Sequence, residues 1–115
     1  MKRLALAGLC LACAGAVFGA GKAEVAVSVT LEPRKVHEEC QRVEAGQRRR
    51  YHWKSNAPVD FNVHYHDGPE VFYPVKRDRM RGDGGTFAAK TAQEYCWMWT
   101  AREAPATITG TIETH

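Results

Sequence analysis

Serine is nearly absent from this chain, and a helical repeat of apolar residues is absent after its first twenty positions. Ser28 and Ser55 are its serines, and neither stands in the glycine-flanked setting that raises a nucleophile on a tight strand-to-helix turn. Charge of one sign is not in excess either: removing the basic pair Lys2 and Arg3 lowers the net charge from +3 to about +1. That balance excludes a general nucleic-acid binder, although Arg48-Arg49-Arg50 and the run Lys76 to Arg81 concentrate positive charge locally. Cysteine is scarce as well. Cys10 and Cys13 lie in the leader, which leaves Cys40 and Cys96 for the mature chain.

The leader itself is present in full outline. Lys2 and Arg3 precede an apolar stretch from Leu4 to Phe18, too short to span a bilayer as a mature helix, and small residues follow. We assign residues 1–20 as an export signal and residues 21–115 as one domain, periplasmic or secreted, without a transmembrane span. Leu11-Ala12-Cys13 offers an alternative lipoprotein site, against which Cys10 occupies a position suited to an aliphatic residue. In an oxidising compartment a lone pair of cysteines is most simply one disulfide, and closing 56 residues would stabilise the fold by roughly 4 kcal/mol. The competing use of the two sulfurs, as metal ligands or a redox pair, lacks a C-x-x-C spacing.

Period-2 alternation fills the rest. Val25, Val27, Val29 and Leu31 share one face of a first strand, which Pro33 ends. Val36 to Val43 reads as a second, and Arg49, Tyr51 and Trp53 point one way in a third, with Arg50, His52 and Lys54 opposite. Asn56-Ala57-Pro58 predicts a break, after which Val59, Phe61, Val63 and Tyr65 alternate with Asp60, Asn62, His64 and His66. Asp67-Gly68 signals a turn, so Val71 to Val75 pairs back as a hairpin arm that Pro74 places near a sheet edge. The charged, glycine-bearing stretch Lys76 to Gly85 predicts a mobile loop. Tyr95, Trp97 and Trp99 then oppose Cys96 and Met98 in a strand apolar on both faces, and Ile108 and Ile112 mark the last strand. About seven short strands predict an all-β, antiparallel two-sheet sandwich with a core of Tyr51, Trp53, Phe61, Val63, Tyr65, Trp97 and Trp99.

Cys40, the aromatic strand Tyr51 to Trp53, Val59-Asp60-Phe61 running into Asp67-Gly68, Gly85-Thr86-Phe87 and Tyr95-Cys96-Trp97 occur in an order that resembles the GOLD domain. That domain is the luminal β-sandwich head of a cargo-receptor family of the early secretory pathway. The resemblance covers roughly Val25 to Ile112 and implies a GOLD-like or jelly-roll-like sandwich with a Cys40–Cys96 disulfide and a role in partner recognition. The family's coiled coil, membrane span and cytosolic tail have no counterpart before His115, so a trafficking role is not implied.

No catalytic residues are nominated. Glu38 and Glu39 are adjacent and point apart on a strand, and the glycines after Arg81 lack the Lys-Ser/Thr of a phosphate loop. The expectation is therefore a non-enzymatic binding or structural module for an unknown protein or small ligand, without a cofactor. The alternative is a copper site. His64 and His66 share a strand face as residues i and i+2, and His37, His52, Met80 and Met98 are candidates to complete an imidazole and thioether set. Otherwise both histidines are wet-face residues with no ligand.

Overall fold

The structure is a computed structural model that describes residues 24–114; the segment expected to be an export signal, with Cys10 and Cys13, lies outside the described residues. Six antiparallel strands form the fold, and among the described residues there is no helix. They are β1 (Glu24–Leu31), β2 (Val36–Val43), β3 (Arg48–Asp67), β4 (Glu70–Ala88), β5 (Gln93–Ala101) and β6 (Ala106–Thr114).

Two expectations are corrected here. Asn56-Ala57-Pro58 does not end a strand, and Lys76 to Gly85 is not a loop: both lie inside the 20-residue β3 and the 19-residue β4, which pair as one long hairpin. The proline signal is still felt as a register irregularity between Lys54 and Val59. Pro58 has no N–H to give the ladder, and Ser55 bridges the gap, its Oγ donating to the Ala57 carbonyl at 2.6 Å. The glycines of β4 lie close against β3. A Cβ at Gly82 would sit 3.0 Å from the Trp53 carbonyl oxygen, so the composition that suggested a loop is the one that lets the strands approach.

The irregularity also divides β3 by its neighbours. Its first part, Arg49 to Ser55, pairs with β6, which pairs in turn with β1; its second part, Val59 to His64, pairs with β5, which pairs in turn with β2. The whole is one continuous sheet that curls about the middle of the hairpin. Its two parts face each other through aromatic rings. Trp53 and Tyr51 meet Phe61 with centroids 5.2 and 5.5 Å apart, and Trp53 stands edge-on to Trp99 at 6.3 Å. Such offset and edge contacts add to what burial alone supplies.

Six of the seven residues expected in the core are buried there, joined by Val59, Phe87, Tyr95, Ile108 and Ile112. Tyr65 is half-buried at the end of the core, stacked on Phe72 at 5.1 Å. Arg49 shares the inward face of Tyr51 and is buried. Its guanidinium is satisfied by the Gln41 side chain and by the carbonyls of Arg48 and Arg42, which is what makes a charge tolerable there. The Cys40–Cys96 disulfide is formed, joining directly opposed residues of β2 and β5.

Candidate binding face and hairpin tip

The outward face of the second part of the sheet is built in rows across β2, β5 and β3. Cys40, Cys96 and His64 make one row, Glu38, Met98 and Asn62 the next, and Val36, Thr100 and Asp60 a third. Side chains of one row lie close together because directly opposed residues of neighbouring strands hold their Cβ atoms roughly 5 Å apart. Lys76 of β4 continues the middle row. At the end of the third row Arg102 donates to both carboxylate oxygens of Asp60 at 2.7 Å, and the Arg79 amide donates to the same carboxylate.

His64 is not the solvent-facing residue that alternation predicts. It is 4 % exposed, and the cause is an irregularity in β4. Val63 pairs with Val75 and Tyr65 with Phe72, so two residues, Tyr73 and Pro74, oppose His64 alone. The extra residue puts the Tyr73 ring 5.8 Å from the imidazole and covers it. His64 Nδ1 lies 2.7 Å from Asn62 Oδ1, an acceptor, so Nδ1 donates to it, and Nε2 lies 3.4 Å from Glu38 Oε1. Burial pushes the His64 pKa down; the Glu38 charge opposes that shift and His66 adds to it.

The other metal candidates divide by face. His66 stands edge-on to His64 at 5.3 Å and is exposed, and Met98 is in the adjacent row of the same face. His37 turns the other way, toward Trp99 and Glu39. His52 lies on the first part of the sheet, against Thr111, and Met80 packs against the core. Among the described residues, the group of three or more His, Cys, Asp and Glu side chains with ligand atoms within 4.8 Å of one another is Glu38, Cys40 and Cys96, and its two sulfurs are joined. Sequence reasoning missed Glu38 because its place beside the sulfurs depends on the pairing of β2 with β5.

A second feature lies at the tip of the β3–β4 hairpin. Val71, Phe72 and Tyr73 are consecutive and all more than a third exposed, whereas Tyr51, Trp53, Phe61, Phe87, Tyr95, Trp97 and Trp99 are buried. The Lys76 ammonium stands 5.4 Å over the Tyr73 ring. Arg77, Arg79 and Arg81 follow along β4, whose ladder runs to β3. Beneath the hairpin a cleft of about 520 Å³ is lined by Tyr65, Pro74, Val75, Phe87, Lys90 and Tyr95, among others. Charge is segregated to match. The hairpin carries eight basic and five acidic residues, whereas the rest of the described chain carries five basic and eight acidic.

No family model and no curated protein matches the chain. Among solved structures it is similar to PliG of Aeromonas hydrophila, a periplasmic inhibitor of g-type lysozyme. The TM-score is 0.59 and the identity 13 %, over 83 % of this chain and 90 % of that one. It is also similar to the mitogen YPM of Yersinia pseudotuberculosis, with a TM-score of 0.53 and 11 % identity over 80 % of this chain and 85 % of that one. At these identities the likeness is one of fold. Both are small all-β proteins, in keeping with the fold class expected here. No helix among the described residues is long and apolar enough to cross a membrane.

Proposed function

We propose that this chain is an exported, non-enzymatic binding module that engages an acidic protein surface through the tip and free edge of its β3–β4 hairpin. The observation that carries the reading is the exposed run Val71-Phe72-Tyr73 leading into Lys76, Arg77, Arg79 and Arg81 on one strand. Apolar anchors beside cations suit a protein interface, the rings supplying contact area and the cations steering an acidic partner. Lys76 and the three arginines, with Pro74, also guard the β4 edge against pairing with itself, so the edge selects its partner by charge. Likeness of fold to a periplasmic lysozyme inhibitor supports export and partner binding, as does the GOLD-like order of cysteines and aromatic strands.

The test places a photo-crosslinking residue at Tyr73 or, as a control on β6, at Thr107. The two proteins are exposed to extracts of the exporting cell's envelope and to purified g-type lysozyme. Expected is a discrete adduct from position 73, absent from position 107, weakened by salt and lost when Phe72 is changed to Asp. Equal labelling from both positions, or none from either, would remove the hairpin from the account.

A further inference from the structure

We infer that Cys40, Cys96, Glu38 and His64 form a zinc-type metal site that the disulfide holds closed and that reduction opens. The four side chains come from three adjacent strands. Cys40, Cys96 and His64 lie in one outward row of β2, β5 and β3, and Glu38 shares the outward face of β2 with Cys40, two residues away. The ligand atoms of Glu38, Cys40 and Cys96 lie within 4.8 Å of one another, and Glu38 Oε1 is 3.4 Å from His64 Nε2. A tetrahedral ion with bonds of roughly 2.0–2.3 Å needs donor atoms about 3.3–3.8 Å apart, which is the scale of this cluster.

The histidine is already oriented as a ligand, and the two sulfurs become donors once reduced. His64 Nδ1 is committed to Asn62, the outer hydrogen bond that orients a ligating imidazole, and this leaves Nε2 aimed at Glu38. Tyr73 and the sheet cover the imidazole, while Cys40 is exposed, so a reductant can reach the sulfurs. His64 lies outside the three-residue group and enters it by the movement that opening the S–S bond allows, since each sulfur is then free to swing about χ1 toward β3. His64 and His66 by themselves give two donors; the third and fourth are these sulfurs and Glu38, and His66 is not needed.

The chemistry balances simply. A dithiol reductant gives two electrons and two protons to the disulfide and becomes a disulfide itself, leaving two thiols. Metal binding then displaces the two thiol protons, so affinity rises with pH. A mixed set of two thiolates, one imidazole and one carboxylate suits zinc or, as a spectroscopic stand-in, cobalt(II). The site is independent of the hairpin reading and stands or falls without it.

The experiment uses tag-free mature protein, oxidised or reduced by a phosphine, titrated with cobalt(II) and then with zinc against a competing dye. Expected is one ion per reduced chain, with the intense thiolate-to-cobalt absorption of a tetrahedral site, and no such band in the oxidised chain. His64→Ala and Glu38→Gln should each weaken binding at least about tenfold, and His66→Ala should leave it unchanged. Reduced protein that binds no tighter than oxidised overturns the proposal, and so does tight binding indifferent to His64 and Glu38. If reduction unfolds the chain, zinc should restore the near-ultraviolet dichroism of the packed tryptophans. Failure to bind or to refold is then the refuting result.

Discussion

Trp97 is the residue on which the closure of the two parts of the sheet can be measured. It has no exposed surface, pairs in register with Val63, and stands edge-on to Phe87 at 5.7 Å and to Tyr51 at 6.5 Å across the fold. A buried indole hides roughly 150–250 Å², which at about 25 cal/mol per Å² is roughly 4–6 kcal/mol of burial. Two terms reduce the loss on truncation. Alanine retains part of the area, and the Trp97 Nε1–H has no acceptor among the described residues, so removing it relieves on the order of 1 kcal/mol. Trp97→Ala is therefore expected to cost about 3–5 kcal/mol, the range found for large-to-small core changes. Urea unfolding followed by far-ultraviolet dichroism is the assay, because deleting one of three tryptophans would distort a fluorescence signal. Trp97→Phe keeps a ring against Phe87 and sheds the unpaired N–H, so its cost should be under half as large. A loss below about 1 kcal/mol for Trp97→Ala would refute the packing of Tyr51 and Phe87 over β5.

Gly110 faces Trp53 in register, and a Cβ there would overlap the His52 carbonyl oxygen and Trp53 itself; Gly110→Ala should cost about 1–3 kcal/mol by urea melt, while Gly85→Ala, with ordinary contacts to Tyr51, should be tolerated. The depressed His64 pKa fixes a sign for pH dependence: below the ordinary value of 6.5 the unfolded chain binds a proton that the fold resists. Stability is thus full above that value and falls as pH drops through the folded pKa, and thermal melts between pH 7.5 and 4.5 should show a shallower slope for His64→Gln; an unchanged slope would mean that His64 is accessible to protons in the fold. Intact mass should show Cys40 and Cys96 resistant to alkylation until reduced, and their reduction should lower stability by roughly 4 kcal/mol on the chain-entropy model. Ready alkylation of the purified oxidised protein would contradict the pairing.

Much of the fold was legible because the large apolar residues of β1, β3 and β5 fall on one face of each strand. Val27 and Leu31, Tyr51 and Trp53, Phe61 and Val63, and Trp97 and Trp99 keep period 2, and all are buried. The strand ends were not legible at Pro58 and at Gly82 to Gly85. Proline and glycine lower local preference for a strand, yet a long hairpin held on both sides of β3 overrides it, since each pairing residue gains from neighbours that are far away in sequence. The curl of the sheet belongs to the same class of fact. Whether two runs of strand lie in separate sheets or in one bent sheet depends on which distant strand lies beside each part of β3, and alternation within β3 is the same in either case.

The candidate site shows the sharper limit, because it depends on one extra residue. Alternation placed His64 on the outward face correctly, and its row with Cys96 confirms that side. What alternation cannot report is a cover: Tyr73 lies over the imidazole because β4 carries two residues where β3 carries one, and nothing in the spacing of Val71 to Val75 counts that residue except Pro74, which cannot join the ladder. Burial then changes the chemistry expected of the residue. An exposed His64 would have nothing to orient it, whereas the buried one has its pKa lowered by burial, is oriented by Asn62 and is turned toward Glu38. The pairing of β2 with β5 completes the arrangement by bringing Cys40 opposite Cys96 and Glu38 beside them, a convergence of residues 38 to 96 that only the register of three strands creates. Changing Tyr73 to Ser should therefore uncover His64, raise its proton affinity toward that of free histidine and move its titration in the proton NMR spectrum to higher pH, while the Cys40–Cys96 bond and the core remain as they are. A His64 titration unmoved by that substitution would show that the β4 irregularity is not what buries it.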